Sequence, residues 1–252
     1  MSRRRFYAPP DAFAAGGVLL SEEESRHLRD VLRLRAGDEA QVFDGEGREF
    51  LCVVAEAGGR KGAARLEVRA PVEPPSPESP LGLTLAVALL KGEKFDLVVQ
   101  KAAELGVGFI KPLLTKRTDV RLREERDAAK RVERWRRLAL EAAKQSGRAR
   151  VPAVTQPLAF ETFVNADPGA DLLQVMFAER GGAGLNELPR GQSPPSAVAA
   201  LVGPEGGWEE DEIELARARG WHVVTLGGRT LRAETAAITV CALLQNLFGD
   251  LK

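Results

Sequence analysis

A proline-rich segment most constrains how this chain can fold. Residues 71–80 contain five prolines, and proline lacks the backbone N–H that a helix interior or a central strand needs. We therefore expect an extended linker over residues 71–80. It separates a predicted domain of residues 1–72 from a larger predicted domain of residues 73–252, and the two differ in their hydrophobic pattern.

The residues before the linker are typical of a small β domain with one helix. Asp44-Gly45 lies between two apolar runs, which is a strong hairpin signal. Ser21 and Glu24 have the spacing of a helix capping box, so we expect a short helix through Leu32. Strands are predicted at residues 40–43, 49–55 and 64–69. Together these elements predict a small β-barrel.

After the linker, strands alternate with helices, which is typical of an α/β domain with a largely parallel sheet covered on both faces. Helices are predicted over residues 95–105, where Gly106 provides a natural end, and over residues 122–146. Residues 181–196 are expected to form a loop. Strands are predicted at residues 83–90, 109–114, 151–154, 172–177, 197–202 and 222–226.

Composition argues against several functional classes. No apolar run approaches the roughly 18 residues of a membrane span, and the basic residues 1–5 precede no apolar signal region, so we expect a cytoplasmic protein without membrane contact. Cys52 and Cys241 are far apart, and His27 and His222 are the only histidines. The sequence therefore predicts no disulfide, no metal site and no Ser-His-Asp triad.

Two glycine-rich turns near the C-terminus are the strongest candidates for a ligand site. The glycine-rich segments are residues 201–207 and 226–235, with their turns at residues 203–207 and 226–232, and each follows an apolar strand and opens into a helix. Glycine lets backbone N–H and C=O groups approach a ligand without an intervening Cβ, and helix N-termini favour anions. Neither turn fits the dinucleotide or P-loop fingerprint. The pattern therefore predicts a small bound molecule whose class the turns alone do not identify.

Basic residues are concentrated in one part of a chain that is neutral overall. The chain has 36 Lys and Arg against 36 Asp and Glu, but residues 111–150 contain 14 basic and 6 acidic residues, a net charge of +8. Such a cluster suits a phosphate backbone. The alternative is a solvated helix that carries i,i+4 ion pairs, for example Glu133 with Arg137.

Several short segments form a recognisable set in order along nearly the whole chain. They are Arg5-Phe6-Tyr7, residues 27–34, residues 91–94, residues 100–107, residues 145–148 and the two glycine turns. Each segment is weak evidence alone, but together they are difficult to explain by chance. As a set they resemble the RsmE-type 16S rRNA uracil-N3 methyltransferases of the SPOUT class.

The resemblance implies an α/β fold in which a PUA-like small β-barrel precedes a SPOUT α/β domain with a deep trefoil knot. It implies S-adenosyl-L-methionine as the methyl donor, bound in the knot, and a homodimer as the working unit. The implied substrate is the uridine conventionally numbered 1498 in the 16S rRNA of the small ribosomal subunit.

The same resemblance implies a cofactor pocket with two walls. Glu209 stands where many relatives have Ser or Thr at a helix cap; a carboxylate there still suits the helix dipole, but the cap geometry stays open. The first wall is Leu201, Gly203, Glu205 and Gly206, and the second is Leu226, Gly227, Leu231 and Ala236.

Methyl transfer requires donor and acceptor to be aligned and one proton to be removed. Methylation at uracil carbon 5 ordinarily uses a cysteine, and neither cysteine lies in an activating polar setting, which favours a nitrogen or oxygen acceptor. We predict that Arg232 stabilises negative charge on the base carbonyls and that Glu234 is the general base. Alternatively, Arg232 and Glu234 form an ion pair that fixes the loop.

For rRNA binding we predict a set of arginines. We also expect the N-terminal barrel to position the RNA. The alternative is that the barrel serves dimerisation or stability. Two other functions stay open: a SPOUT methyltransferase acting on another rRNA or tRNA position, and a non-catalytic ribosome-assembly RNA-binding protein. The predicted set is Arg5, Arg29, Arg33, Arg117, Arg148 and Arg150.

Overall fold

The computed structural model describes residues 4–59, 62–120, 125–167, 169, 171–189 and 194–252. The chain divides into two compact units. The first unit contains Met1–Glu78 and Leu140–Val151, and the second contains Ser79–Ala139 and Pro152–Lys252. The sequence pattern led us to expect contiguous domains, whereas the first unit also includes a segment from the second half of the chain.

The first unit contains a curled sheet of six strands in the order β1-β4-β5-β6-β3-β2. The β4–β5 hairpin turns at the predicted Asp44-Gly45, and β1 joins β4 as its parallel neighbour. Phe6, Leu28 and Leu66 are among the buried residues of its core. The strands are β1 (Arg5–Tyr7), β2 (Phe13–Ala14), β3 (Gly17–Leu19), β4 (Glu39–Phe43), β5 (Glu49–Glu56) and β6 (Arg65–Val72).

The predicted short helix is present and begins after Ser21. Helix α1 (Glu22–Arg26) is capped by the Ser21 hydroxyl, which accepts a hydrogen bond from the Glu24 N–H at 3.2 Å. The Glu24 carboxylate accepts instead from Lys144 Nζ at 2.7 Å. Only half of the capping box therefore forms, because the buried Glu24 side chain has a cationic partner. The chain continues in a π-helical turn to Val31.

The extended linker begins later than the sequence predicts. Strand β6 continues through Pro71, which lies opposite Phe50 of β5. On its other side, β6 pairs with β3 only over its first three residues. Proline is tolerated there because no strand requires its missing N–H on that side.

The second unit contains a sheet in which all described pairings are parallel, in the order β10-β8-β7-β12-β11-β13, with β9 beside β8. Continuous apolar runs form the central strands because both sheet faces are covered. The strands are β7 (Gly82–Ala88), β8 (Phe109–Leu114), β9 (Ala153–Val154), β10 (Leu158–Ala159), β11 (Leu172–Phe177), β12 (Ala197–Val202) and β13 (His222–Val224).

Five helices accompany this sheet in the described residues. Each predicted strand of the second unit is found, although β9 and β13 are shorter than expected, and the predicted loop of residues 181–196 contains a 3₁₀ turn at Leu185–Glu187. No described helix is long and apolar enough to cross a membrane. The helices are α2 (Lys94–Glu104), α3 (Glu125–Ser146), α4 (Phe160–Val164), α5 (Glu210–Ala218) and α6 (Ala233–Phe248).

Candidate functional site

A cavity of about 770 Å³ lies in the second unit, beyond the carboxyl ends of β11, β12 and β13. Its walls are residues 202–207 and 225–233 with Ala236, and residues 177–180 and Lys94 complete the lining. Carboxyl strand ends are where open parallel α/β sheets bind ligands. The volume lies within the roughly 300–1,000 Å³ of small-molecule sites.

The first glycine turn, residues 203–207, is held by close packing. A Cβ on Gly203 would lie 3.0 Å from the Trp208 ring. That ring is fully buried, and its Nε1 donates a hydrogen bond to the Phe177 carbonyl at 2.8 Å. Because Trp208 is anchored, it cannot move aside, and Gly203 is required for steric reasons.

Two further glycines of this turn also face close neighbours. A Cβ on Gly206 would lie 3.1 Å from Arg117 Cβ, and one on Gly207 would lie 3.0 Å from the Glu179 carboxylate. Gly207 also has a φ of +70°, which disfavours other residues. The cavity-lining backbone of this turn is therefore fixed by its surroundings.

Glu205 attaches the first turn to the loop after β7. Its Oε1 accepts hydrogen bonds from Lys94 Nζ at 2.9 Å and from the Lys91 N–H at 3.3 Å. Burial acts to raise the pKa of Glu205, but the hydrogen bonds from Lys94 and from the backbone outweigh it, so the pKa is lowered. Glu205 lines the cavity as predicted, with its carboxylate engaged by the protein.

The helix cap left open by the sequence is resolved at the start of α5. Glu209 is the cap residue, and its carboxylate accepts from Arg117 Nε at 2.8 Å. The buried Glu212 accepts from the Glu209 N–H at 2.9 Å and from the Lys116 N–H at 3.0 Å. Arg117 Nη1 also donates to the Gly206 carbonyl at 2.8 Å. The Glu209 side chain thus ties the turn to the segment after β8.

The second glycine turn, residues 226–232, is open to solvent. Gly227 and Gly228 both have a φ of +72°, and a Cβ on either would meet no atom within 4 Å. One hydrogen bond closes the turn, from the Arg229 N–H to the Gly227 carbonyl at 2.8 Å. Glycine is therefore required here for its backbone conformation.

Arg232 and Glu234 differ in how they relate to the cavity. Arg232 is the exposed cap residue of α6 and lines the cavity, and its guanidinium has no ion-pair partner among the described residues. Glu234 does not line the cavity, and its Oε2 is buried with no hydrogen-bond partner in the described part of the chain. No ion pair joins the two side chains, so the loop-fixing alternative is not observed.

Most of the predicted cofactor residues lie at the cavity. Leu201 is the exception: it is fully buried in the core of the second unit, one residue before the lining begins. Sequence reasoning missed Glu179 and Arg180, which follow the end of β11; the rule that ligands bind beyond carboxyl strand ends would have found them. The lining includes Gly203, Glu205, Gly206, Leu226, Gly227, Leu231 and Ala236.

Two of the predicted RNA-binding arginines are buried instead. Arg5 donates to Glu49 through Nε and Nη2, each at 2.9 Å, and its guanidinium lies 4.1 Å from the centre of the Phe43 ring. Arg148 is 4% exposed and pairs with Glu78 at 2.7 Å. Including Arg5 and Arg148 in the RNA set was wrong, because a buried, paired guanidinium does not reach a phosphate.

The other four arginines reach the surface. Arg29 pairs with the adjacent Asp30, and Arg117 is held as described above. Arg150 Nη2 donates to the Glu46 carbonyl at 3.4 Å. Arg33 is exposed at a positive φ of 55° and has no ion-pair partner among the described residues.

Neither cysteine is an activated nucleophile. Burial raises the pKa of Cys52 to about 11 and that of Cys241 to about 12. Both thiols are therefore protonated at neutral pH. Among the residues with described positions, no cluster of His, Cys, Asp and Glu has the geometry of a metal site.

Comparison with known proteins identifies the family. A family model described as an RNA methyltransferase domain matches residues 77–245, and one described as an RNA methyltransferase PUA domain matches residues 20–67. The chain is 34% identical to ribosomal RNA small subunit methyltransferase E of Synechocystis sp., over 96% of this chain and 77% of that protein. This chain belongs to that methyltransferase family.

Two further members of the family show the same relationship. The Bacillus subtilis protein of the same name is 30% identical over 87% of this chain and 86% of its own. The crystal structure of the Neisseria gonorrhoeae protein, bound to S-adenosyl methionine, is 33% identical, covers 99% of both chains and has a TM-score of 0.86. The two-unit α/β architecture is therefore shared with a solved member of the family.

Proposed function

We propose that the protein transfers a methyl group from S-adenosyl-L-methionine to N3 of the uracil conventionally numbered 1498 in the 16S rRNA of the small ribosomal subunit. The observation that carries this proposal is the cavity between the two glycine turns, with the Arg232 guanidinium, which has no ion-pair partner among the described residues, on its wall. Relatives named as small-subunit rRNA methyltransferases, one of them solved with S-adenosyl methionine, support it.

The cavity fits such a cofactor. Residues 203–207 and 225–233 line the cavity, and at Gly227 and Gly228 no atom lies within 4 Å of the position of a Cβ, so the backbone of the second turn is uncovered there. Leu226, Leu231 and Ala236 provide apolar surface against which an adenine ring can pack. Glu179 offers a carboxylate for a ligand ammonium. When bound, the cofactor supplies an electrophilic methyl group on a sulfonium sulfur.

Arg232 is the residue to which we assign stabilisation of the uracil. Loss of the N3 proton places negative charge on the two carbonyl oxygens that flank N3, and a guanidinium with no competing partner can donate to such an oxygen. Arg232 also precedes the N-terminus of α6, whose dipole favours negative charge. Both effects lower the free energy of the uracil anion that attacks the methyl carbon.

Glu234 is the residue to which we assign the N3 proton. Its carboxylate lies in the first turn of α6, and Oε2 has no hydrogen-bond partner among the residues described. Because Glu234 does not line the cavity, it accepts the proton through an intervening water. In the balanced step, the N3–methyl bond forms as the sulfur–methyl bond breaks, and the N3 proton leaves to Glu234.

The chemistry of the two thiols supports nitrogen as the acceptor. Methylation at carbon 5 of uracil requires a thiolate that adds to the ring, and burial holds both cysteines in the protonated form. Cys52 lies in the first unit and Cys241 inside α6, and neither lines the cavity. An oxygen or nitrogen acceptor needs no such nucleophile.

We further propose the finer features that the family resemblance implies. These are a PUA-like barrel over residues 1–72, a SPOUT domain over residues 73–252 with a deep trefoil knot, a homodimer as the working unit, and action in the cytoplasm without a metal. The match of the PUA-type family model to residues 20–67 supports the barrel. The RNA set is reduced to the exposed Arg33, Arg117 and Arg150 and the partly exposed Arg29.

Product mapping tests the proposed function. Purified protein is incubated with S-adenosyl-L-methionine carrying a labelled methyl group and with small ribosomal subunits from a strain that lacks this methylation, and the labelled nucleoside is then identified. We expect N3-methyluridine at a single 16S rRNA position. Label in tRNA, at another atom or at another position would contradict the proposal, and absence of transfer would favour a non-catalytic assembly role.

A further inference from the structure

One face of α3 carries three cations that make no ion pair in the described part of the chain. Arg126, Lys130 and Arg137 are exposed, and none has an ion-pair or hydrogen-bond partner among the described residues. We refer to these three residues as the α3 stripe. All three belong to the second unit, which also contains the cavity.

Helix geometry places the α3 stripe on a single line facing solvent. At 3.6 residues per turn, the three positions lie within about 40° of one another and span about 16 Å along the helix axis. Trp135, which is 2% exposed, lies about 140° or more from each of them and marks the buried face. The stripe is therefore directed away from the core of its unit.

Intrahelical ion pairs do not account for these charges. Glu133 and Glu141 lie on the same line, and neither makes an ion pair with the α3 stripe among the described residues, including the Glu133–Arg137 pair that the sequence offered as an alternative; Glu141 lies instead 4.0 Å from Lys144. The neighbouring Arg134 does have partners, in Asp96 and Glu93. Arg134 is thus paired within the unit, whereas the α3 stripe makes no ion pair among the described residues.

The strand that precedes α3 ends at the edge of the sheet that holds the cavity. Strands β8 and β12 are both parallel to β7, so their carboxyl ends share one edge, and α3 follows β8. Residues 115–120, which follow β8, contact the first glycine turn, because Arg117 donates hydrogen bonds to the Gly206 carbonyl and to Glu209. Lys91, whose N–H donates to Glu205, pairs with Asp119 in the same segment.

We propose that the α3 stripe binds the phosphate backbone of the RNA substrate beside the target nucleotide. This inference rests on the proposed function, because it takes RNA as the substrate. A line of cations on the helix that follows β8, whose carboxyl end lies at the cavity edge of the sheet, complements a strand of phosphates extending from a base held in the cavity. The footprint on the second unit then comprises the α3 stripe together with Arg117.

A triple neutralisation tests the inference. Arg126→Gln, Lys130→Gln and Arg137→Gln are combined in the full chain, and binding to undermethylated small ribosomal subunits is measured over a range of salt concentrations. We expect affinity to fall about tenfold or more at low salt. The slope of log affinity against log salt should fall by about 2 to 3, since each phosphate contact contributes about 0.7 to 0.9.

The matched control neutralises three exposed cations of the same unit that lie off the stripe and make no ion pair among the described residues, Arg131, Arg219 and Lys252, and so changes the net charge equally. Wild-type affinity and slope in the triple variant would overturn the inference, as would an equal loss in the control. A charge-retaining variant, Arg126→Lys with Arg137→Lys, should keep wild-type binding, and a loss in it would show damage to the fold instead of loss of charge.

Cofactor binding and methyl transfer are measured on the same variants. Unchanged affinity for S-adenosyl-L-methionine with a raised KM for the subunit is the expected pattern. If the wild type binds subunits but transfers no methyl group, the proposed function is wrong. The binding comparison then still tests whether the α3 stripe binds the RNA. If the triple variant methylates with wild-type KM, the stripe fails while the proposed function stands.

Discussion

The two glycine turns form opposite walls of one cavity but are held in different ways. In the first turn, which is residues 203–207, Trp208 packs against the backbone and Lys94 holds the Glu205 carboxylate. A Cβ added to one of its glycines would lie about 3 Å from a neighbouring atom. In the second, residues 226–232, nothing lies near the glycines, and the backbone depends on two positive φ angles. Packing against neighbouring side chains maintains the backbone of the first turn, whereas local backbone conformation maintains that of the second.

This difference assigns different tasks to the two walls. A wall fixed by its neighbours provides a constant surface against which a cofactor can be positioned. The second wall leads directly to Arg232, which has no described partner and is exposed. We infer that the first turn mainly determines binding and that the end of the second turn determines chemistry, and this distinction can be tested one residue at a time.

The largest effect is expected for Arg232→Ala. Removing a donor that stabilises developing charge typically lowers kcat by about 10²- to 10³-fold, and we expect that loss with cofactor affinity unchanged. Single-turnover kinetics and calorimetry with S-adenosyl-L-methionine provide the two readouts. A parallel loss of cofactor affinity would contradict the inference that the first turn determines binding and the end of the second turn determines chemistry. Arg232→Lys should recover part of the rate.

The next largest effect is expected for Gly203→Ala. The added methyl group would press on the anchored Trp208, and overpacking of this kind costs about 1–3 kcal/mol. We expect cofactor affinity to fall about tenfold. Gly59→Ala is the matched control, because nothing lies within 4 Å of a Cβ there; equal binding by both variants would show that the first wall is not fixed by packing.

A smaller effect is expected in the second turn, and it should depend on the type of substitution. Gly227→Ala forces a residue with a Cβ into the left-handed region, at a cost of about 1 kcal/mol or more. Asparagine tolerates that region better, so Gly227→Asn should weaken cofactor binding less than Gly227→Ala. If the two variants bind the cofactor with equal affinity, steric contact and not the φ angle limits substitution at Gly227.

The smallest effect is expected at the Glu205 clamp, and it depends on pH. Glu205 has a lowered pKa in the folded protein, so its contribution is fully present above its ordinary value of 4.5 and is lost as the pH falls through the lower value. Partly exposed pairs contribute below about 1 kcal/mol. Cofactor affinity of the wild type should therefore decrease below pH 4.5, whereas Glu205→Gln should show a weaker and flatter dependence.

Sequence patterns predicted the elements that frame the cavity because these elements have long apolar runs. Strands β8, β11 and β12 have the predicted bounds, and both glycine turns lie where the pattern placed them. The short strands β1, β2 and β10 and the helix α4 were not predicted. Elements of two to five residues have too few positions to show a period, and long-range pairing determines them.

The role of individual charged residues was harder to predict. Arg5 and Arg148 look like surface cations in the sequence, because their partners Glu49 and Glu78 lie 44 and 70 residues away. The fold brings each pair together and removes it from the surface. Arg126 and Lys130 were read as part of a charged helix, and only the absence of partners in the described structure distinguishes them from paired residues such as Arg134.

A crystal structure of this protein with S-adenosyl-L-methionine tests the central claim most directly. The account predicts density for the cofactor between residues 203–207 and 226–231, with the methyl group directed toward the space in front of Arg232. Cofactor bound elsewhere, or bound with its methyl group directed away from Arg232, would contradict the claim that the two turns form the methyl-donor site.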